Sequence, residues 1–187
     1  MRWLWIDRVL HAEPGTALTA VKTVSLSEPH LHDHFPAATR PDGQALPAHP
    51  VMPAPLILEG MAQTAGILVG LTQNFAEKVA LAKVSSAIFH ADALPGDTLR
   101  FHASLDSIDA RGASASGTVD RQRPRPKTET NDGPTHHTTP LADISLLFSH
   151  LDQNQQGLDF PEHNFVFGET FKTLLRTSGI INEPPHT

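Results

Sequence analysis

The stretch His49-Pro50-Val51-Met52-Pro53-Ala54-Pro55-Leu56-Ile57-Leu58-Glu59-Gly60-Met61-Ala62-Gln63-Thr64-Ala65-Gly66-Ile67-Leu68-Val69-Gly70 decides the fold. From Pro50 onward it holds one ionisable side chain, Glu59, in a run of apolar and small residues. Pro53 and Pro55 suit a helix start, where a missing N–H costs nothing. Leu56, Ile57, Met61, Ala65, Leu68 and Val69 fall on nearly every side of that helix, and a helix apolar all round is a buried one. Gly60, Ala62, Gly66 and Gly70 let neighbouring backbone come close. A carboxylate in such a helix is costly when ionised unless it is partnered, which makes Glu59 the first functional candidate.

On the N-terminal side, residues 1–10 mix Trp3, Leu4, Trp5, Ile6, Val9 and Leu10 with charges and are expected to pack a short helix or turn on the core. Glu13-Pro14-Gly15 signals a turn, and 17–26 reads as a strand. Residues 30–36 are dense in imidazole, and 37–48 form a polar loop. Beyond the helix, which should end near Gln73, strands are expected at 79–91, 98–105, 112–119 and 141–151. The second and the last of these alternate through Leu99, Phe101, Ala103 and through Ile144, Leu146, Phe148, as half-buried strands do. Residues 121–139 are rich in proline and charge and read as a loop. The expected domain is 1–151, with flexible inserts at about 37–48 and 121–139. The tail, 152–187, carries Phe165, Phe167, Phe171, Leu174 and Leu175, enough for a short docking helix. Helix and strands do not alternate, so the class is α+β with an antiparallel sheet. A sheet that must cover a helix apolar on every side has to wrap around it, which is the hotdog fold: an antiparallel sheet around one long buried helix. A second copy is expected to complete the burial.

Bulk properties narrow the function. The 187 residues suit one domain with tails. A formal charge of −6 argues against a nucleic-acid role, which needs a basic face. There are no cysteines, hence no thiolate metal site. Arg2, Asp7 and Arg8 break any signal-peptide pattern, and Glu59 would be stranded in lipid if the apolar run crossed a membrane. A soluble, cytoplasmic protein without membrane contact is expected.

His34-Phe35-Pro36, Pro50-Val51-Met52-Pro53, Leu58-Glu59-Gly60-Met61-Ala62-Gln63 and Leu94-Pro95-Gly96-Asp97-Thr98-Leu99, in that order, resemble the FabZ-type beta-hydroxyacyl-acyl-carrier-protein dehydratases of the hotdog fold. The resemblance implies a hydro-lyase of fatty-acid or related lipid synthesis, with no cofactor. Its substrate would be an acyl thioester carried on acyl carrier protein. It would work as a homodimer or a trimer of dimers. It places the catalytic histidine at His34 and the catalytic carboxylate at Glu59, meeting across a dimer interface. It also places a backbone N–H aimed at the thioester carbonyl at Ala54, with Met52, Pro55, Gln63 and Phe35 about the substrate. The chain departs from the signature at Ala37, Ala54 and Pro55, and Pro55 has no N–H to donate.

These residue types suit the chemistry. Histidine titrates near neutrality and serves as a base. A buried carboxyl holds a proton it can give to a leaving hydroxyl. A helix N-terminus offers free N–H groups to a developing enolate oxygen. Alternatives are a hotdog thioesterase, which relies on a carboxylate-activated water, and a non-catalytic acyl-thioester-binding hotdog protein. His30, His32 and His34 alternate as metal ligands on a strand would, but no acidic or cysteine partner is spaced to complete a site, so no metal is expected. Arg121, Arg123, Arg125 and Lys127 could greet an acidic carrier protein or simply be solvated.

Overall fold

The computed structural model describes residues 3–32, 35–124, 136–151 and 166–182. Six strands form one antiparallel sheet in the order β1-β2-β6-β7-β8-β5. They are β1 (Arg8–Glu13), β2 (Ala17–Thr23), β5 (Val79–Phe89), β6 (Thr98–Asp109), β7 (Gly112–Pro124) and β8 (His136–His150). Two-residue strands β3 (Ala38–Thr39) and β4 (Ala45–Leu46) pair as a small separate hairpin. The helices are α1 (Pro29–His32), α2 (Ala54–Thr72) and α3 (Glu169–Thr177). The hotdog expectation holds: α2 packs against β2, β5, β6, β7 and β8.

Alternation builds the core. Leu18 and Ala20 on β2, Leu99, Phe101 and Ala103 on β6, and Ile144, Leu146 and Phe148 on β8 turn inward onto α2. From α2 itself, Ile57, Met61, Ala65, Ile67, Leu68 and Val69 are buried. The helix meets β6 closely at Gly60, where an added Cβ would lie 2.6 Å from Phe101 Cζ and 3.1 Å from the Trp5 carbonyl oxygen. By length and mean hydropathy (1.4) α2 would pass for a membrane span, yet most of it is buried within the protein, as the core helix of a wrapped sheet is.

The sequence misplaces several elements. Residues 8–13 are a strand rather than a helix or turn. β1 pairs with β2 across the expected Glu13-Pro14-Gly15 turn, where Gly15 has φ +82° and the Thr16 N–H donates to the Glu13 carbonyl at 3.0 Å. As an edge strand with only Val9 fully buried, β1 carries no alternation to read. β7 runs on to Pro124 and β8 starts at His136, so the 121–139 loop shrinks from both ends. Polar pairing extends these strands where hydrophobicity does not. Arg123 grips the buried Asp97 carboxylate through two hydrogen bonds of 2.6 and 2.7 Å, and Arg121 donates to Thr139 Oγ1 and to the Asp92 carbonyl. Arg121 and Arg123 are therefore strand residues with partners in this fold; Arg125 and Lys127 lie outside the described residues. Pro29–His32 is helical, so His30 and His32 do not alternate on a strand face.

The tail does carry a docked helix. Leu174 and Leu175 of α3 are buried, and the Val9 N–H donates to Ser178 Oγ at 3.0 Å. The helix ends at Gly179 (φ +72°), after which the Ile180 N–H returns to the Leu175 carbonyl, a capping turn that satisfies a terminal acceptor. Phe165 lies outside the described residues.

Candidate active site

Glu59, Ala62, Gln63 and Gly66 stand at i, i+3, i+4 and i+7 of α2, so they share one helix face. That face lines a cavity of about 420 Å³, whose opposite wall is the start of β5 and Phe148 of β8. Its size and apolar lining suit a small-molecule site. Glu59 is half-buried there and is its one acidic group among the described residues. Trp3 forms part of the rim beside it.

Gln63 holds this corner together. Its Nε2 donates to Glu59 Oε1 at 3.0 Å and to the Trp3 carbonyl at 3.1 Å, while its Oε1 accepts from the Trp5 N–H at 2.8 Å. One buried amide therefore ties the carboxylate to the N-terminal segment. The Trp3 and Trp5 rings meet edge to face at 5.4 Å, and Trp5 meets the His30 ring at 5.1 Å.

The α2 N-terminus is fixed from outside the helix. The Met52 N–H donates to the Ala93 carbonyl, and the His49 N–H donates to the Phe35 carbonyl, each at 2.9 Å. The Pro95-Gly96 turn that presents Ala93 needs its glycine, at φ +91°, and closes with the Asp97 N–H on the Leu94 carbonyl. Pro53 precedes the helix and Ala54 opens it; Pro53 and Pro55 carry no N–H and the Leu56 N–H donates to the Pro53 carbonyl at 2.9 Å, so the Ala54 N–H is the first-turn donor left without an intrahelical acceptor. Phe35 sits at φ +53°, a conformation that costs a bulky residue energy.

Of the residues expected at the site, the structure brings Glu59 and Gln63 together at the cavity. Met52 is buried in the core, Ala54 is half-buried, and Pro55 and Phe35 are exposed; none of these four lines the cavity. His34 lies outside the described residues. Its neighbour Leu31 is buried, and Phe35 is tied to His49, four residues before the Pro53 that precedes α2. No group of three or more potential metal ligands occurs among the described residues. Sequence reading missed Trp3, Phe167 and Phe171 as lining residues, because lone aromatics far from the motif carry no signal of shared surroundings.

Comparison with known proteins decides the family. The FabA-like domain family matches residues 1–122. The 3-hydroxyacyl-acyl-carrier-protein dehydratase FabZ of Rickettsia rickettsii (strain Sheila Smith) is 38% identical over 121 residues, covering 63% of this chain and 74% of the relative. This chain belongs to the FabA-like family. Within it, the match is to FabZ-type hotdog dehydratases, and the FabZ of Rickettsia bellii is 36% identical over 121 residues, again 63% of this chain and 74% of the relative. The fold agrees. The dehydratase heterocomplex ApeI:P from Xenorhabdus doucetiae superposes with a TM-score of 0.53 at 16% identity, over 79% of this chain and 83% of that one. An uncharacterized protein from Pyrococcus horikoshii superposes at 0.52 with 10% identity, over 81% and 88%. The FabA-like match ends at residue 122, so β8 and α3 lie beyond it. The cavity of this family member thus combines an α2 face and the start of β5, inside the matched region, with Phe148, Leu151 and residues 166–171 outside it.

Proposed function

We propose that the Glu59 cavity of this FabZ-type dehydratase removes water from a beta-hydroxyacyl thioester presented on acyl carrier protein, in fatty-acid or related lipid synthesis. One observation carries the reading: on the helix whose sequence matches the family, a carboxylate held by Gln63 opens onto an apolar cavity. The His34 imidazole takes a proton from the α-carbon. The electron pair moves toward the thioester oxygen, where the Ala54 N–H at the α2 N-terminus stabilises it. Glu59 protonates the β-hydroxyl, the C–O bond breaks, and water leaves as the trans-2 double bond forms. Proton exchange through the expelled water restores both groups.

We assign His34 to one protomer and Glu59 to the other. Supporting this, β5 ends the sheet and has one strand neighbour among the described residues. It is 11 residues long and exposes Leu81, Ile88 and Phe89. A long apolar edge invites strand pairing, and pairing β5 with β5 of a second copy continues the sheet and covers those side chains.

The test offers purified protein 3-hydroxyacyl-acyl-carrier-protein and follows enoyl formation. Each catalytic group contributes about 10²- to 10⁴-fold, so E59Q and H34A should each lose at least about 100-fold in kcat with the fold intact. Release of free thiol instead of enoyl product would make the protein a thioesterase. Acyl binding with neither product would make it a non-catalytic binder.

A further inference from the structure

The cavity lies along α2, and what closes it far from Glu59 belongs to the C-terminal segment rather than to the region matched by the family. Val166, Phe167 and Phe171 line the cavity together with Gly66. Phe167 is the anchor. It is buried, its ring sits where a Cβ on Gly70 would come within 2.8 Å of Cζ, and it meets Phe75 edge to face at 4.9 Å. Phe171, on the first turns of α3, stands 6.1 Å from Phe167 and is half-buried. The position of α3 is fixed independently of the cavity, by Leu174, Leu175 and the Val9–Ser178 hydrogen bond. These rings are therefore held in place by a docked element.

We propose that residues 166–171 form the end wall of the acyl cavity and set the length of acyl chain the enzyme accepts, with Phe171 as the specificity-determining residue; this rests on the dehydratase reading above. From Glu59 to Gly66 the helix rises about 10 Å. A zigzag hydrocarbon of about 1.5 Å bonds spans that distance in roughly eight carbons, and since Glu59 meets the hydroxyl on the third carbon these are carbons three to about ten, so a twelve-carbon chain overruns the wall by about two. The substrate class is thus a medium-length beta-hydroxyacyl thioester. Longer chains meet the Phe167 and Phe171 rings, and Phe167 is backed by Gly70 and Phe75 with no room to retreat.

The experiment has two readouts. Rates of dehydration are measured for 3-hydroxyoctanoyl and 3-hydroxydodecanoyl carrier-protein thioesters. Binding of octanoyl and dodecanoyl coenzyme A, which lack the hydroxyl and cannot be dehydrated, is followed by the fluorescence of Trp3 beside Glu59. Each methylene buried is worth about fourfold in affinity. Wild-type protein should favour the eight-carbon chain in both assays. F171A, opening room for two or more methylenes, should raise the twelve-to-eight ratio by about tenfold or more. F171W should lower that ratio, and it carries the test should F171A fail to fold. K172A, on the solvent side of α3, should leave the ratio alone. An unchanged ratio in both Phe171 variants overturns the proposal even if the protein is a good dehydratase. The expected ratio shift in binding, without any enoyl product from wild type, keeps the end wall and overturns the dehydratase reading.

Discussion

Replacing Gln63 by leucine isolates the amide that ties Glu59 to the N-terminal segment. Leucine fills the same space, so no cavity opens, and three hydrogen bonds disappear. The Trp5 N–H, now donating at 2.8 Å, is left as a buried donor, which costs about 1–3 kcal/mol. The Trp3 carbonyl and the Glu59 carboxylate lie nearer solvent, and water recovers most of their loss. Burying the leucine side chain in place of the amide returns about 1 kcal/mol. Q63L should therefore lose about 1 kcal/mol of stability, a Tm drop of roughly 2–4 °C for a chain of this size. Equilibrium urea unfolding followed by tryptophan fluorescence measures it. Q63E sharpens the test. It keeps an acceptor for the Trp5 N–H, offers nothing to the Trp3 carbonyl, and sets a second negative charge against Glu59. It should be less stable than Q63L at pH 7 and regain ground on wild type as the pH falls through the carboxylate range, about pH 4–5. A Q63L protein within 0.5 kcal/mol of wild type, or a Q63E protein indifferent to acid, would refute the view that this amide organises the corner.

Two further outcomes follow from polar groups on the sheet. R123M leaves the Asp97 carboxylate, 1% exposed, with only the Leu94 N–H among its described donors. Orphaning a buried ion costs about 3–5 kcal/mol; since the Arg123 side chain is 42% exposed and water reaches the pair, about 2 kcal/mol is expected by urea unfolding. For His102, burial and the Arg100 charge push the imidazole below its ordinary value of 6.5, against the pull of Asp120. The folded state thus takes up its proton at lower pH than the unfolded state does. Its stability contribution is full above about pH 6.5 and fades as pH falls toward the lowered value. H102Q should flatten the decline of the urea midpoint between pH 7 and pH 5, and an unaltered slope would contradict this.

The fold was legible wherever one face of an element is buried. α2 announced itself by being apolar on every side, β6 and β8 by alternation, and the Pro95-Gly96 turn by chemistry only glycine supplies. β1 was illegible because an edge strand with one buried residue has no period. The ends of β7 and β8 were illegible because Arg123 and Asp97, 26 residues apart, stabilise them by an ion pair that no local window contains. The site divides the same way. Glu59 stood out as the lone acid of an apolar helix, and Gln63 came with its motif. Trp3, Phe167 and Phe171 converge on the cavity only through tertiary packing, from opposite ends of the chain.

The strand order carries a consequence for how this chain folds. β5 follows α2 directly in sequence, yet its partner is β8, with Val79 opposite His150. That loop cannot close until nearly the whole chain has been synthesised, and contacts of such long range form slowly. Until then α2, the most apolar segment, is covered by β2, β6 and β7 alone, and the wall of the Glu59 cavity is unbuilt. The Glu59 cavity is thus the last part of the molecule to come into being, and a nascent or truncated chain exposes there a sticky surface that invites aggregation.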